Sequence, residues 1–198
     1  MAKKVVSTQM MVRVALLAAI SFILFKFLEI PAVAFYKLDL SGIPALLAGF
    51  AMGPLAAILT LAIKDLLAVV VGSATGGIGE LADFLMLSCL VLATAVPYQR
   101  KRNKQVVLWG MVAGTVLMTI AGVLLNYYVL IPLYTRFMPE EAIIAAAAAA
   151  VPFAGIDSLV KVVLFVTAPF NIVKGAIISV LTYYLYRYMG PVLKKGRL

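Results

Sequence analysis

Apolar stretches wide enough to cross a bilayer alternate with short polar or basic joints along almost the whole chain. A spanning helix needs about 20 mainly apolar residues, because the hydrocarbon core is roughly 30 Å thick and a helix rises about 1.5 Å per residue. The pattern predicts an all-α, polytopic membrane protein of six transmembrane helices, at about 9–30, 43–52, 54–71, 80–97, 106–133 and 158–189. The second and third come from one apolar stretch that Gly53-Pro54 breaks. A helix as short as 43–52 cannot cross alone and must lean on protein neighbours. The last two exceed one crossing, which tilt or projection absorbs, and Pro169 predicts a kink.

The joints carry their own signals. Segment 31–41, with Phe35, Tyr36, Lys37 and Asp39, reads as a polar, aromatic-containing loop. Segment 72–79 is glycine-rich, but it lacks the Lys-Ser/Thr ending of a phosphate-binding loop and reads as a flexible turn. The long connection 134–157 contains the alanine run Ala145–Ala150, which predicts a short surface or re-entrant helix. Gly110 and Gly114, one turn apart, allow a close helix approach.

Composition narrows the class. Of 198 residues, 65% are hydrophobic and 13% charged, with a mean hydropathy of +1.10. Soluble domains have roughly 45–50% apolar and about 25% charged residues. The expectation is a single membrane domain, 1–198, with no room for a built-in motor. The apolar run 14–28 has no small-residue cleavage site near its end and reads as a retained helix.

The net charge of +9 is sorted by position. Lys3, Lys4 and Arg13, then Arg100, Lys101, Arg102 and Lys104, then Arg187, Lys194, Lys195 and Arg197 form three clusters without an acid among them. All eight acidic residues fall in the other segments. Cytoplasmic loops collect Lys and Arg, so both termini are expected inside (N-in/C-in), in a multi-pass cell-membrane protein. Nucleic acid is not the expected partner of these cations; the lipid bilayer is. Histidine is absent, and the one cysteine, Cys89, lies in an apolar run and reads as a buried thiol. No metal, no cofactor and no catalytic residues are expected.

Polar groups inside spanning helices are expensive and serve the bundle interior or a water-filled cavity. Asn126 sits near the outer part of the fifth helix, and Asn171 and Lys174 share one face of the sixth. Together with the aromatic neighbours Tyr127, Tyr128 and Phe170 they suit a flat heteroaromatic ligand with a polar edge; interhelical hydrogen bonding is the plainer alternative. Lys64 and Asp65 either snorkel to the outer interface or face the interior. Glu80 and Asp83 read as first-turn residues facing the positive end of the fourth helix.

Several stretches occur in the order of a known family: Tyr36-Lys-Leu-Asp-Leu-Ser-Gly-Ile-Pro44, Gly53-Pro-Leu-Ala-Ala57, Lys64-Asp65, Asn126-Tyr-Tyr-Val-Leu-Ile-Pro132 and Pro169-Phe-Asn-Ile-Val-Lys-Gly175. From Ala15 onward the chain resembles the substrate-binding S components of energy-coupling factor (ECF) vitamin transporters, specifically their riboflavin-specific branch. The resemblance implies a six-helix fold with an outward-facing vitamin pocket and the loop after the first helix as its lid. It also implies a transmembrane coupling subunit and two cytosolic ATPases as partners, with riboflavin as the transported substrate and not a cofactor. Asn126, Asn171 and Lys174 would then hold the polar edge of the isoalloxazine ring, and Leu38, Asp39 and Leu40 would contact it from the lid. Lys64 and Tyr127 complete the candidate binding set. Ala15 and Ala19 match the family's alanine-x-x-x-alanine contact with the coupling subunit. Segment 134–157 has no counterpart in the resemblance. Other readings are an S component for thiamin, biotin or folate, a lipid-acting enzyme, and a small structural membrane protein.

Overall fold

The structure, a computed structural model, describes residues 7–33, 36–73, 75–136 and 138–195, and the side chains of 32–33 and 189–195 are not described. Lys3, Lys4, Phe35 and Arg197, named above, lie outside the described residues, as do the side chains of Lys194 and Lys195.

Helix α1 (Thr8–Phe27) starts where the Ser7 side chain accepts a hydrogen bond from the Met10 N–H, satisfying one of the otherwise unpaired first-turn donors. It ends three residues before the expected boundary. Ile30 and Pro31 instead enter a strand, β1 (Ile30–Val33), which pairs antiparallel with β2 (Tyr36–Leu38). The expected loop 31–41 therefore contains a hairpin. Its signal was present in the alternation of Tyr36, Lys37, Leu38, Asp39 and Leu40.

Helix α2 (Gly42–Met52) is short, and eight of its eleven residues are buried, so protein and not lipid surrounds most of it. Gly53, at φ 103°, makes the reversal into α3 (Pro54–Gly72), where Pro54 occupies the first helical position; glycine alone tolerates that φ without strain. Helix α4 (Ile78–Arg100) passes through Pro97, which was expected to end it, because the Lys101 N–H closes the last turn on the Pro97 carbonyl. Helix α5 begins at Asn103, whose side chain caps the Val106 N–H. It runs over Lys104–Leu125, through one π-helical turn (Asn126–Leu130), to Ile131–Tyr134. Helix α6 (Glu140–Ala150) contains the alanine run. Helix α7 comprises Leu159–Val162, a second π-helical turn (Val163–Thr167) and Ala168–Lys195.

Both π-helical turns precede a proline by two residues or fewer: Pro132 and Pro169. In each the N–H reaches back five residues, Ile131 to Asn126 and Ala168 to Val163. A proline ring collides with the carbonyl four residues before it, and the extra residue of a π-helical turn displaces that carbonyl. Pro169 thus produces a π-helical bulge where the sequence predicted a kink.

Neighbouring contacts give each end of the bundle its contents. Val14 packs with Ala48 and Ala56, Gln99 donates to the Gly49 carbonyl at 2.9 Å, and Tyr186 meets Phe50 and Tyr98. The N-terminal part of α1, the C-terminal part of α7 around Tyr186, the Gly53 turn and the basic loop around Asn103 therefore lie at one end. At the other, Lys26 donates to the Gly72 carbonyl at 2.7 Å and Tyr36 reaches Asn126. Gly42, at the start of α2, touches Leu87 near the middle of α4. The hairpin tail and α2 together thus cover the distance that one long helix covers elsewhere.

Gly110 and Gly114 do permit a close approach: a Cβ on Gly114 would lie 2.8 Å from the Leu90 carbonyl oxygen, and one on Gly110 2.9 Å from the Thr94 Cα. Among the described residues, five helices are long and apolar enough to cross a membrane, and α2 is a shorter apolar helix. Large apolar side chains such as Leu16, Leu66, Val70, Leu108 and Leu164 point outward. Such a surface is incompatible with water and ordinary for a lipid-facing bundle. The chain is a multi-pass membrane protein.

Candidate functional site

The chain leaves β2 through Asp39, which is buried and shaped by its own backbone. Its Oδ1 accepts hydrogen bonds from the Ser41 N–H at 2.9 Å and from the Ser41 hydroxyl, a local turn that Asp favours. Ser21 on α1 donates to the Ser41 carbonyl at 2.6 Å, fixing that turn against the first helix. The free oxygen, Oδ2, accepts from Lys174 Nζ on α7 at 2.7 Å.

Lys174 also donates to Asp83 Oδ1 on α4 at 2.8 Å, and Lys64 on α3 donates to Asp83 Oδ2 at 2.5 Å. Asp83 thereby bridges two ammonium groups. Lys64 Nζ stands 2.7 Å from Asp65 Oδ1 as an ion pair, although by alignment neither Asp65 oxygen has a hydrogen-bond partner among the described residues. Lys64 also lies 4.2 Å from the centre of the Phe25 ring, which contributes a cation–π term. Lys64 and Asp65 are both buried; neither snorkels. Asp83 is likewise no mere first-turn residue, since it joins α4 to α3 and α7. Spacing along one helix cannot reveal a partner on two others.

A second polar group fixes the hairpin. The Tyr36 hydroxyl donates to Asn126 Oδ1 at 2.8 Å, and Thr167 donates back to Tyr36 Oη at 2.6 Å. A phenol carries one proton, so with that proton on Asn126 the threonine must be the donor. Burial pushes the Tyr36 hydroxyl well above its ordinary pKa, which keeps it a donor at all physiological pH. Asn126 and Thr167 belong to the two π-helical turns, and the Tyr36 ring stacks on Phe170 at 5.0 Å. Asn126 Nδ2 donates to the Gly122 carbonyl at 2.8 Å. The Gly72–Gly79 joint is ordered by side chains: Ser73 and Thr75 hydroxyls both donate to Glu80 Oε2 and accept from the Gly77 and Gly79 N–H groups.

These elements enclose a cavity of 390 Å³, within the size range of small-ligand sites. Tyr36, Phe25, Phe170 and Met86 give it apolar walls; Asn126, Asp39, Asp83 and Lys174 form a polar side; Lys26, Glu29, Lys37, Thr75 and Glu80 also line it. Tyr134, Met138 and Ile143 close it from the segment leading into α6. Segment 134–157 is therefore part of the site, with Ala147 packed in one cluster with Ile156, Val162 and Val166, against which Tyr36 rests.

Of the residues singled out in the sequence, Asn126, Lys174 and Asp39 line this cavity together. Asn171 is buried just behind it, one turn from Lys174; its Nδ2 donates to the Thr167 carbonyl, and its Oδ1 has no hydrogen-bond partner among the described residues. A Cβ on Gly122 would meet that amide at 2.6 Å, so glycine there is what admits Asn171. Lys64 supports the cavity through Asp83 without lining it. Tyr127 and Tyr128 are exposed and lie outside the lining, and Leu40 packs into the core. Leu38 lines a separate apolar recess of 410 Å³ with Phe165 and Val173. Ala15 and Ala19 are exposed on the outer face of α1, while Val14, Ala18 and Ser21 face inward.

A lipid-embedded bundle with an aromatic-walled, polar-sided cavity at one end defines a membrane protein that binds a small molecule. The family model described as "ECF transporter, substrate-specific component" matches residues 9–186, and the chain belongs to that family. It is similar to the riboflavin transporter RibU of Staphylococcus aureus (strain TCH60), 34% identical over 188 residues, covering 93% of this chain and 92% of that one. It is also similar to the riboflavin transporter FmnP of Bacillus subtilis (strain 168), 30% identical over 94% of this chain and 95% of that one. A solved structure described under "Structure and mechanism of the S component of a bacterial ECF transporter" superposes with a TM-score of 0.72, at 31% identity, covering 94% of this chain and 98% of that one.

The ion network predicts an order of damage. Asp83→Asn weakens both lysine pairs and should destabilise the detergent-solubilised protein by about 3–5 kcal/mol, the usual penalty for breaking a buried pair. Asp39→Asn, which touches one lysine, should do less. Lys174→Met combined with Asp39→Asn should be less harmful than the two single effects summed, by about 0.5–3 kcal/mol. Urea unfolding of the four variants checks both statements; strict additivity would contradict the network.

Proposed function

We propose that this chain is the riboflavin-binding, substrate-specificity subunit of an ECF vitamin uptake transporter. The observation that carries the reading is the cavity, which brings the aromatic rings of Tyr36 and Phe170 together with the Asn126 amide and the Lys174 ammonium in one lining. Riboflavin offers a flat apolar ring, a neutral polar edge and a polyol chain. Tyr36 and Phe170 suit the ring face, while Asn126 and Lys174 suit the carbonyl and nitrogen edge. Lys26, Glu29, Lys37, Thr75 and Glu80 offer partners for the hydroxyl chain. The relatives named as riboflavin transporters, alike over nearly their whole length, support the same choice.

Charge supports a neutral ligand. The two buried lysines are already met by Asp39, Asp65 and Asp83, so no surplus positive charge awaits the carboxylate of biotin or folate. Lys174 has three N–H donors, of which Asp39 and Asp83 take two; the third serves a ligand carbonyl. Asn126 keeps one Nδ2 hydrogen for the same edge, and Asn171 Oδ1 is an acceptor at hand for a ring N–H. Asp39 and its neighbours Leu38 and Leu40 act as the base of the hairpin lid, with Lys64 in support.

The remaining assignments follow from the sorting of charge and apolar surface. The end bearing Arg100, Lys101, Arg102, Lys104 and Arg187 is cytoplasmic, which makes six crossings with both termini inside and the cavity facing outside. The glycine-rich joint is occupied with its own Ser73, Thr75 and Glu80, so energy comes from partners: a transmembrane coupling subunit and two cytosolic ATPases. Ala15 and Ala19 form the α1 contact with that coupling subunit, where small side chains let another helix approach.

Three measurements test these statements. Lys174→Met and Asn126→Leu should each weaken riboflavin binding roughly ten- to hundred-fold, as expected for losing a hydrogen bond worth about 1.5–3 kcal/mol. Asn171→Leu should weaken it too, whereas Lys64→Met should lower stability but retain affinity. Flavin fluorescence quenching by purified protein is the readout; unchanged binding by Lys174→Met, or preferential binding of thiamin, would overturn the assignment. In a Cys89→Ala background, single cysteines at Ser73 and Lys101 should label from opposite sides of the membrane, and labelling from one side would refute the topology. Replacing Ala15 and Ala19 with Leu should abolish uptake in cells while the isolated chain still binds riboflavin; loss of binding would make that face internal packing.

A further inference from the structure

A groove of 600 Å³ runs along the flank of the bundle between α5 and α7, separate from the ligand cavity. Leu108, Val112 and Val116 form one wall, and Ile172, Ala176 and Val180 the other. The hydroxyls of Thr115 and Thr119, also in the lining, are occupied with the carbonyls of Met111 and Thr115. The lining presents hydrocarbon and faces the bilayer. From Leu108 to Ile120 it extends about 18 Å along the helix, close to the roughly 15 Å of one leaflet's hydrocarbon.

Continued one turn towards the basic end, the two walls reach cations. Lys104 lies four residues before Leu108, and Arg187 lies three after the lining residue Tyr184. Val107, Met111 and Tyr186 pack in one cluster, which brings these ends of α5 and α7 to the same depth. Lys104 and Arg187 are both exposed, and among the described residues neither takes part in an ion pair. All eight acids lie in other segments. Tyr183 and Tyr184 line the end of the groove nearest the cations, and such aromatic residues favour the membrane interface.

An apolar channel of one-leaflet length that ends at two exposed cations is complementary to a molecule with a hydrocarbon chain and an anionic head. We propose that the α5–α7 groove is a binding site for one anionic phospholipid, its acyl chain between the two walls and its phosphate at Lys104 and Arg187. The site is independent of the vitamin reading, since neither cation nor wall touches the ligand cavity.

Trp109, the only tryptophan, is 70% exposed and adjoins Leu108, so it reports on chains lying in or beside the groove. The chain is reconstituted in phosphatidylcholine vesicles containing small fractions of phosphatidylglycerol or phosphatidylcholine with brominated acyl chains, and Trp109 quenching is measured. Brominated phosphatidylglycerol should quench at a lower mole fraction than brominated phosphatidylcholine, by roughly fivefold per contributing cation. Lys104→Gln and Arg187→Gln should each reduce that preference, and together abolish it. Ala176→Phe fills the groove and leaves both cations in place; it too should remove the preference. Excess inorganic phosphate should leave the quenching unchanged. Equal quenching by both lipids in the unaltered chain, a preference that survives the double charge variant or Ala176→Phe, or reversal by free phosphate would each overturn the proposal.

Discussion

Asp83 sits between Lys64 and Lys174, and the elements at the cavity end of the bundle meet through that contact. Removing ions from water costs several kcal/mol apiece even after relaxation, and the return depends on geometry and on how many donors and acceptors are satisfied. Here one carboxylate accepts from two ammonium groups, and Lys174 then binds a second carboxylate, Asp39. Four segments are joined in this way: the tail of the hairpin, α3, α4 and α7. In the low dielectric of a lipid-embedded interior such attractions are strong, and an incomplete set would be correspondingly harmful. The network therefore favours one arrangement of these helices over the alternatives that apolar packing alone would permit.

The hairpin depends on this arrangement at both ends. Asp39 anchors its exit to Lys174, while Tyr36 anchors its second strand to Asn126 and Thr167. Of these, Tyr36, Asp39, Asn126 and Lys174 also line the cavity, so the hairpin and the cavity share these side chains. Asn126 and Thr167 reach Tyr36 from two π-helical turns, each next to a proline. The π-helical turns beside the prolines thus carry polar side chains to Tyr36.

Three surfaces of the bundle differ in chemical character. The cavity end is polar and bounded by loops; the outer face of α1 presents small and apolar side chains, Ala15, Leu16, Ala19 and Ile20; the α5–α7 flank presents a groove with a cationic end.

Membrane class and the positions of the long apolar segments were legible in the sequence, because a lipid environment imposes length and hydropathy on every segment separately; of the six spans expected, five are helices long and apolar enough to cross among the described residues, and α2 is shorter. The Gly53-Pro54 break was legible for the same local reason. Asn126 and Lys174 stood out as polar groups in apolar runs, and family resemblance connected them to a ligand. The pairing of Lys174 with Asp39 and Asp83 was not legible, since those residues lie 135 and 91 positions away. Glu80 and Asp83 satisfied a local helix-end explanation, and nothing in one helix distinguishes that from a bridge across three. Tyr127 was adjacent to Asn126 in sequence but points out of the site, because successive helical residues face different directions. Segmental properties such as span and break are set by each stretch against its solvent, and the sequence by itself determined them. Which polar groups meet, and which of them face the cavity, is set by the mutual rotation and depth of several helices, and only the tertiary structure decided it.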